Sequence, residues 1–140
     1  IKSTDHVLLI GAAAGYAAAV LAELAKTVVA VESDPNLAKH AEAALDGINT
    51  VTVVHAAMAG GYEAAAPYDV IMIDGAVESV PASLWAQLKP GGVMVAAVID
   101  HGVTRLARGQ QIDGGGVLLP FAEGEVVILR DFSTPRSFAF

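Results

Sequence analysis

The sequence predicts an α/β fold: a mostly parallel twisted sheet with helices on both faces and an antiparallel finish at its C-terminal end. Three observations carry this. Short apolar runs, which read as strands, alternate up to Asp100 with stretches of helical periodicity. The first run, Val7-Leu8-Leu9-Ile10, stops at Gly11 and passes through Ala12, Ala13, Ala14 and Gly15 into a helical pattern. After Asp100 the rhythm changes to strand-like segments around a glycine-rich turn, with no convincing helix between them. Strands that alternate with helices imply right-handed crossovers and parallel pairing.

The elements follow in order. Lys2 to Asp5 is a polar lead-in, and His6 to Ile10 is the first strand. Gly15 to Lys26 reads as a helix with Ala17, Ala18, Val20, Leu21 and Leu24 inward. Thr27 to Glu32 is the second strand. Ser33-Asp34-Pro35 opens a second helix, with an oxygen-bearing cap before a first-turn proline, and Asp46-Gly47 ends it. Thr50 to Val54 is the third strand, and His55 to Pro67 a loop. Val70 to Ile73 is the fourth strand, closed by Asp74-Gly75. Pro81 to Leu88 reads as a helix with Leu84, Trp85 and Leu88 inward. Lys89-Pro90-Gly91-Gly92 breaks it, and Val93 to Ile99 is the fifth strand. Thr104 to Arg108, Val117 to Phe121 and Glu125 to Arg130 are strand-like. No internal repeat or linker divides the chain, so residues 1–140 read as a single domain.

Bulk properties narrow the function. The chain has 140 residues, 54% of them apolar, and a mean hydropathy of +0.55. No uninterrupted apolar run approaches the ~18 residues of a membrane span. The formal net charge is −7 without a basic cluster, which argues against nucleic-acid binding. There is no cysteine, so disulfides, thiolate metal sites and a cysteine nucleophile are excluded. His6, His40 and His101 lack partners at metal-ligand spacing. A cytoplasmic location is the default. The chain begins at Ile1 rather than methionine and looks cut.

The strand–turn–helix at Gly11 is where backbone approaches a nucleotide-like ligand in an α/β sheet. Glycine serves there because it has no Cβ. Glu32 ends the second strand about 20 residues past that turn, where a carboxylate can accept from both hydroxyls of a ribose.

These features belong to a larger set. Gly11 to Tyr16 (GAAAGY), Ala19 to Ala22, Val31-Glu32-Ser33-Asp34-Pro35, Ala66-Pro67-Tyr68-Asp69, Val80-Pro81 and Gln87 to Gly92 (QLKPGG) run through most of the chain. Together they resemble class I S-adenosylmethionine-dependent methyltransferases, whose fold is Rossmann-like. Within them the chain is most similar to the protein-L-isoaspartate O-methyltransferases, including relatives with degraded motifs.

The resemblance implies S-adenosylmethionine as cofactor and the isoaspartyl carboxylate of a damaged protein as acceptor. Gly11 and Gly15 would line the methionine end. Glu32, followed by Ser33, would hold the ribose. Tyr16 reads either as stacking near the ligand mouth or as packing. The loop after the third strand would pin the adenine. Asp74 ends the fourth strand at the carboxyl edge where ligands bind, and either faces the cofactor's amino group or caps the next turn. His55 sits beside the adenine position.

Three departures from the family pattern stand out. The middle glycine of the turn falls on Ala13. The acidic residue of the adenine loop and its flanking glycines fall on Ala56, Ala57 and Met58. The acceptor-binding segment that precedes the first strand in the family is not in this chain. An uncovered apolar face near the site, and self-association or a partner to cover it, would follow.

A carboxylate acceptor is already ionised at neutral pH, so no general base is expected and no catalytic residue is assigned. Rate would come from positioning and water exclusion. The alternative reading is a methyltransferase-like domain that has lost its cofactor and serves assembly. A dinucleotide oxidoreductase would share the glycine turn and Glu32, but would need a further helix and parallel strand after Asp100.

Overall fold

β1 (His6–Ile10) occupies the centre of a seven-stranded sheet, and Val7 to Ile10 are all 0% exposed. A strand covered on both faces reads as a continuous apolar run rather than an alternating one. The computed structural model describes residues 1–133. The remaining elements are α1 (Tyr16–Leu24), β2 (Thr27–Glu32), α2 (Pro35–Ala44), β3 (Val51–His55), β4 (Tyr68–Val77), α3 (Ala82–Ala86), β5 (Leu88–Asp100), β6 (Val103–Gln110) and β7 (Leu119–Glu123). Single 3-10 turns lie at Met58–Gly60, Glu63–Ala65 and Arg130–Phe132. The spatial order is β3-β2-β1-β4-β5-β6-β7. The first five strands pair in parallel; β6 and β7 pair antiparallel. The expected α/β architecture with an antiparallel finish is present.

The connectivity reverses between β1 and β4, and the core divides accordingly. On one face Val7, Leu9, Val28 and Ala30 pack under Ala18 and Leu21 of α1 and Ala41 and Leu45 of α2. On the other, Leu8, Ile10, Val31 and Ile71 meet Met58, Leu84, Trp85 and Phe132. Each buried leucine or isoleucine contributes about 1.5–3 kcal/mol over its exposed state. Trp85, expected in the core, is 5% exposed. Asp34 caps α2: its Oδ1 accepts from the Asn36 and Leu37 amides, with Pro35 in the first turn.

Several boundaries differ from the sequence expectation. β4 does not end at Asp74 but continues to Val77. Its register against β5 slips between Met72 and Ala76, so Ile73 to Gly75 bulge out of the ladder. The break at Lys89 to Gly92 is real, yet lies inside β5: Tyr68 pairs with Leu88 and Val70 with Val93, so the intervening residues loop out. α3 is correspondingly short. Glu125 to Arg130 is not a strand. It makes one isolated parallel bridge, Ile128 to Ala76, because β1 stops at Gly11 and leaves only a short stretch of the β4 edge free. The tail Phe132 to Phe140 falls, from residue 134 onward, outside the described residues.

α1 and α2 cover one face over β1 and β2 but not over β4 and β5. There a groove of about 640 Å³ is lined by Val70, Met72, Val93, Val95, Lys89 and Arg108. It opens toward the amino ends of the strands, the opposite edge from Gly11. At its rim Lys89 Nζ donates to both Asp69 oxygens at 3.0 Å. Partial burial raises the Asp69 carboxyl, but the His6 amide and Lys89 outweigh it and hold it below the usual range. Among the described residues, no helix is long and apolar enough to cross a membrane.

Candidate functional site

The site begins where β1 runs out. Gly11 at φ 88 and Gly15 at φ 99 turn the chain from strand to helix, and Ala13 between them sits at φ 45. A Cβ on Gly11 would approach the Asp74 carbonyl oxygen to 3.3 Å, on the side where β1 and β4 end. A Cβ on Gly15 would instead approach Leu45 and the Ala41 backbone, at 3.3 and 3.4 Å. The two glycines therefore do different work: Gly11 lets the turn close over the carboxyl edge, whereas Gly15 lets α1 start against α2.

Glu32 is 4% exposed and its carboxylate binds its own backbone. Oε2 accepts from the Ala13 N–H at 2.8 Å, and Oε1 accepts from the Ser33 and Asp34 N–H groups at 2.9 and 3.0 Å. A carboxylate has about four acceptor positions, so about one remains, on Oε2. Two ribose hydroxyls cannot both be served without displacing one of these amides.

A cavity of about 520 Å³ lies above this turn. Gly11, Ala13, Glu32 and Asp74 all line it. So does Met58, which the sequence reading placed in the adenine loop, and so do Leu37 and the segment Val126 to Arg130, which it did not place there. Leu37 follows directly from the cap of α2, and Met58 from the loop after β3. The Val126 segment left no local signal, since it reaches the site across more than 100 residues of chain.

That segment crosses the cavity as a strap. The Ala76 N–H donates to the Val127 carbonyl at 2.7 Å, and the Leu129 N–H donates to the Ala76 carbonyl at 2.9 Å. The strap thus continues the line of β1 past the turn. Leu129 lies over Gly75, where a Cβ would meet its Cγ at 2.5 Å, and beside Gly11, where a Cβ would meet its Cδ1 at 3.7 Å. Phe132, 5% exposed, anchors the far end in the core.

Of the other sequence-predicted residues, Gly15, Tyr16, Ser33 and Ala57 are not in the cavity wall, whereas Asp74 is. Tyr16 is 84% exposed. Ser33 contributes its amide to Glu32 and its carbonyl to His55 Nε2, at 3.0 Å. Ala57 is exposed, one residue before Met58. Asp74, in the β4 bulge, makes no side-chain hydrogen bond among the described residues, and partial burial pushes its carboxyl above the usual carboxylate range.

The cavity suits a small ligand with a hydroxyl, a cationic group and an apolar body. Glu32 retains acceptor capacity, Asp74 offers an unpaired carboxyl, and Met58, Leu37 and Leu129 supply apolar wall. Among the described residues, no acid–base pair lines the cavity.

Comparison with known proteins gives the chain's family and fold relatives. The family model of protein-L-isoaspartate(D-aspartate) O-methyltransferase (PCMT) matches residues 1–125. The chain is 43% identical over 106 residues to a protein-L-isoaspartate O-methyltransferase of Ignicoccus hospitalis, covering 72% of this chain and 50% of that protein. It is 46% identical over 100 residues to one of Rhodopseudomonas palustris, covering 70% and 46%. A solved protein-L-isoaspartate O-methyltransferase superposes with a TM-score of 0.86 at 26% identity, over 91% of this chain and 43% of that one. A Plasmodium falciparum structure with S-adenosyl-L-homocysteine superposes with a TM-score of 0.78 at 13% identity, over 93% and 67%, a likeness of fold. The chain spans about half the length of the curated relatives it matches.

Proposed function

Because the chain belongs to the protein-L-isoaspartate(D-aspartate) O-methyltransferase family, we propose that it binds S-adenosylmethionine in the cavity above the glycine turn and serves methyl transfer to isoaspartyl carboxylates of damaged proteins. The observation that carries this reading is one cavity at the carboxyl edge with Gly11, Glu32 and Asp74 in its wall.

The residues present fit the cofactor. Gly11 lines the cavity beside Glu32, and the free position on Glu32 Oε2 can accept from a ribose hydroxyl. Asp74 has no side-chain hydrogen bond or ion pair among the described residues and offers a carboxylate to an ammonium. The apolar surfaces of Met58 and Leu37 suit a flat base. Bound there, S-adenosylmethionine would supply a methyl group activated by its sulfonium.

The chain's own contribution is to hold and to shield. Asp74 and Glu32 place acceptor charge near the cationic end of the ligand. Leu129 and its strap exclude water from the region above Gly11. An isoaspartyl carboxylate is ionised at neutral pH, so proton abstraction is not required of any side chain.

The test is titration calorimetry with S-adenosylhomocysteine, followed by transfer of labelled methyl to an isoaspartyl peptide. Saturable binding and label in the peptide are expected. The absence of heat and of any thermal shift at millimolar ligand would refute the reading.

A second reading has its own support. Three backbone amides already occupy Glu32, and Leu129 lies over the turn. A relative that keeps the fold, holds no cofactor and serves assembly would have this arrangement. Methylation of the peptide would dismiss it.

A further inference from the structure

Arg130 is the one cation among the described residues that line the cavity, whose wall also carries Glu32 and Asp74. Its guanidinium has no hydrogen-bond or ion-pair partner among those residues, although the chain as a whole carries a net charge of −7. The backbone beneath it is nevertheless fixed. Leu129 is bonded to Ala76, the Phe132 and Ser133 amides donate back to the Leu129 and Arg130 carbonyls at 3.2 and 3.0 Å, and Phe132 is buried. A five-donor planar cation on an anchored turn, facing a cavity and left unpaired, is prepared for a planar anion. The nearby acids do not serve as that anion: three amides occupy Glu32, and Asp74 stays beyond ion-pair distance.

We propose that Arg130 is a ligand-binding residue that takes a carboxylate in this cavity. The inference rests on the methyltransferase reading above and deepens it. Two carboxylates are available in that reaction, the amino-acid end of the cofactor and the isoaspartyl acceptor. Both present the same two oxygens to a guanidinium fork. With Asp74 and Arg130 in one cavity wall, a zwitterionic amino-acid group meets a partner for each of its charges.

The experiment compares the wild-type chain with Arg130→Gln and Arg130→Lys by titration calorimetry. One probe is S-adenosylhomocysteine. A second, 5′-deoxy-5′-methylthioadenosine, keeps the adenosine and sulfur but has no carboxylate. Arg130→Gln is expected to weaken S-adenosylhomocysteine at least tenfold, about 1.4 kcal/mol, and to leave methylthioadenosine unchanged. Arg130→Lys should fall between. If instead the carboxylate comes from the acceptor, both nucleosides bind Arg130→Gln normally. An isoaspartyl peptide then binds the S-adenosylhomocysteine-loaded variant at least tenfold more weakly, while its amide analogue does not change.

Equal binding of all four probes by wild type and Arg130→Gln would overturn the proposal and leave the methyltransferase reading standing. Weakening of both nucleosides alike would also overturn it, as a structural effect. Failure of the wild type to bind either nucleoside would overturn both. The fold of each variant is checked by circular dichroism and Trp85 fluorescence.

Discussion

The Ala13 amide donates to Glu32 Oε2 at 2.8 Å, which ties the middle of the glycine turn to the end of β2. The same carboxylate gathers the Ser33 and Asp34 amides, so it organises the junction of β1, β2 and α2. Glu32→Gln would aim an NH₂ group at one of these donors. The expected cost is about 1–3 kcal/mol, that of leaving a buried donor unsatisfied. Urea unfolding should show a lower midpoint at an unchanged slope. Wild-type stability in this variant would mean that the clamp does not operate.

Ala13 sits at φ 45, a left-handed conformation that costs an L-residue roughly 1–2 kcal/mol. Its amide bond to Glu32 holds it there. Ala13→Gly removes that strain at the expense of a floppier unfolded chain, so a net gain of up to about 1 kcal/mol is expected. The check is the melting temperature, which should rise. A fall would show that the Ala13 methyl makes a contact worth more than the strain.

The strap predicts a coupled pair of effects. Gly75→Ala places a methyl 2.5 Å from Leu129 Cγ, so Leu129 has to move. Overpacking of this kind costs about 1–3 kcal/mol. Hydrogen exchange at the Leu129 amide, which is bonded to the Ala76 carbonyl, should accelerate by comparison with core amides such as Leu8. Leu129→Ala in the same background should recover part of the lost stability. Unchanged protection at Leu129 would exclude the packed strap.

Tyr68 gives a pH signature. Its phenol is 0% exposed and donates to the Tyr62 carbonyl at 2.6 Å. Burial, with Tyr62 adding to it, pushes its pKa up from 10 to about 12. The folded state therefore holds the proton more tightly than the unfolded chain. Stability is unaffected by this group below pH 10 and declines as pH rises from 10 toward 12. Melting temperatures across that range should fall more steeply for the wild type than for Tyr68→Phe.

The single tryptophan reports the other face. A methyl added at Gly116 would fall inside the contact surface of the Trp85 ring, and Gly109 is almost as close. Gly116→Ala should lower stability by about 1–3 kcal/mol and shift Trp85 emission to the red as the ring is pushed outward. An unshifted spectrum would show that the glycine turn at Gly114 to Gly116 yields instead of the ring.

Much of this was legible in the chain alone. Val7 to Ile10 is a centre strand because four consecutive apolar residues need cover on both faces. Glu32 lands beside Gly11 because a strand, a short turn and one helix bring the chain back by one strand spacing, whatever packs around them. Asp34 and Pro35 announce α2 by local chemistry. These features depend on contacts within about one crossover unit, and pattern is sufficient to find them. The bulge at Ile73 to Gly75 left no such mark. It depends on how β4 must bend to keep its pairing with β5 while admitting Leu129.

By itself, the sequence determined the alternation of strands and helices up to Asp100, the turn at Gly11 and the acid at its side, since each follows from local periodicity and spacing. Only the tertiary structure decided what that acid does and what closes the cavity. Glu32 spends most of its acceptor capacity on its own backbone, Gly15 packs helices, and Val126 to Arg130 return from the far end of the described chain to cross above Gly11. The physical reason is the same in each case. Hydrogen-bond saturation and close packing are properties of groups that meet in space, and the groups that meet here are distant along the chain.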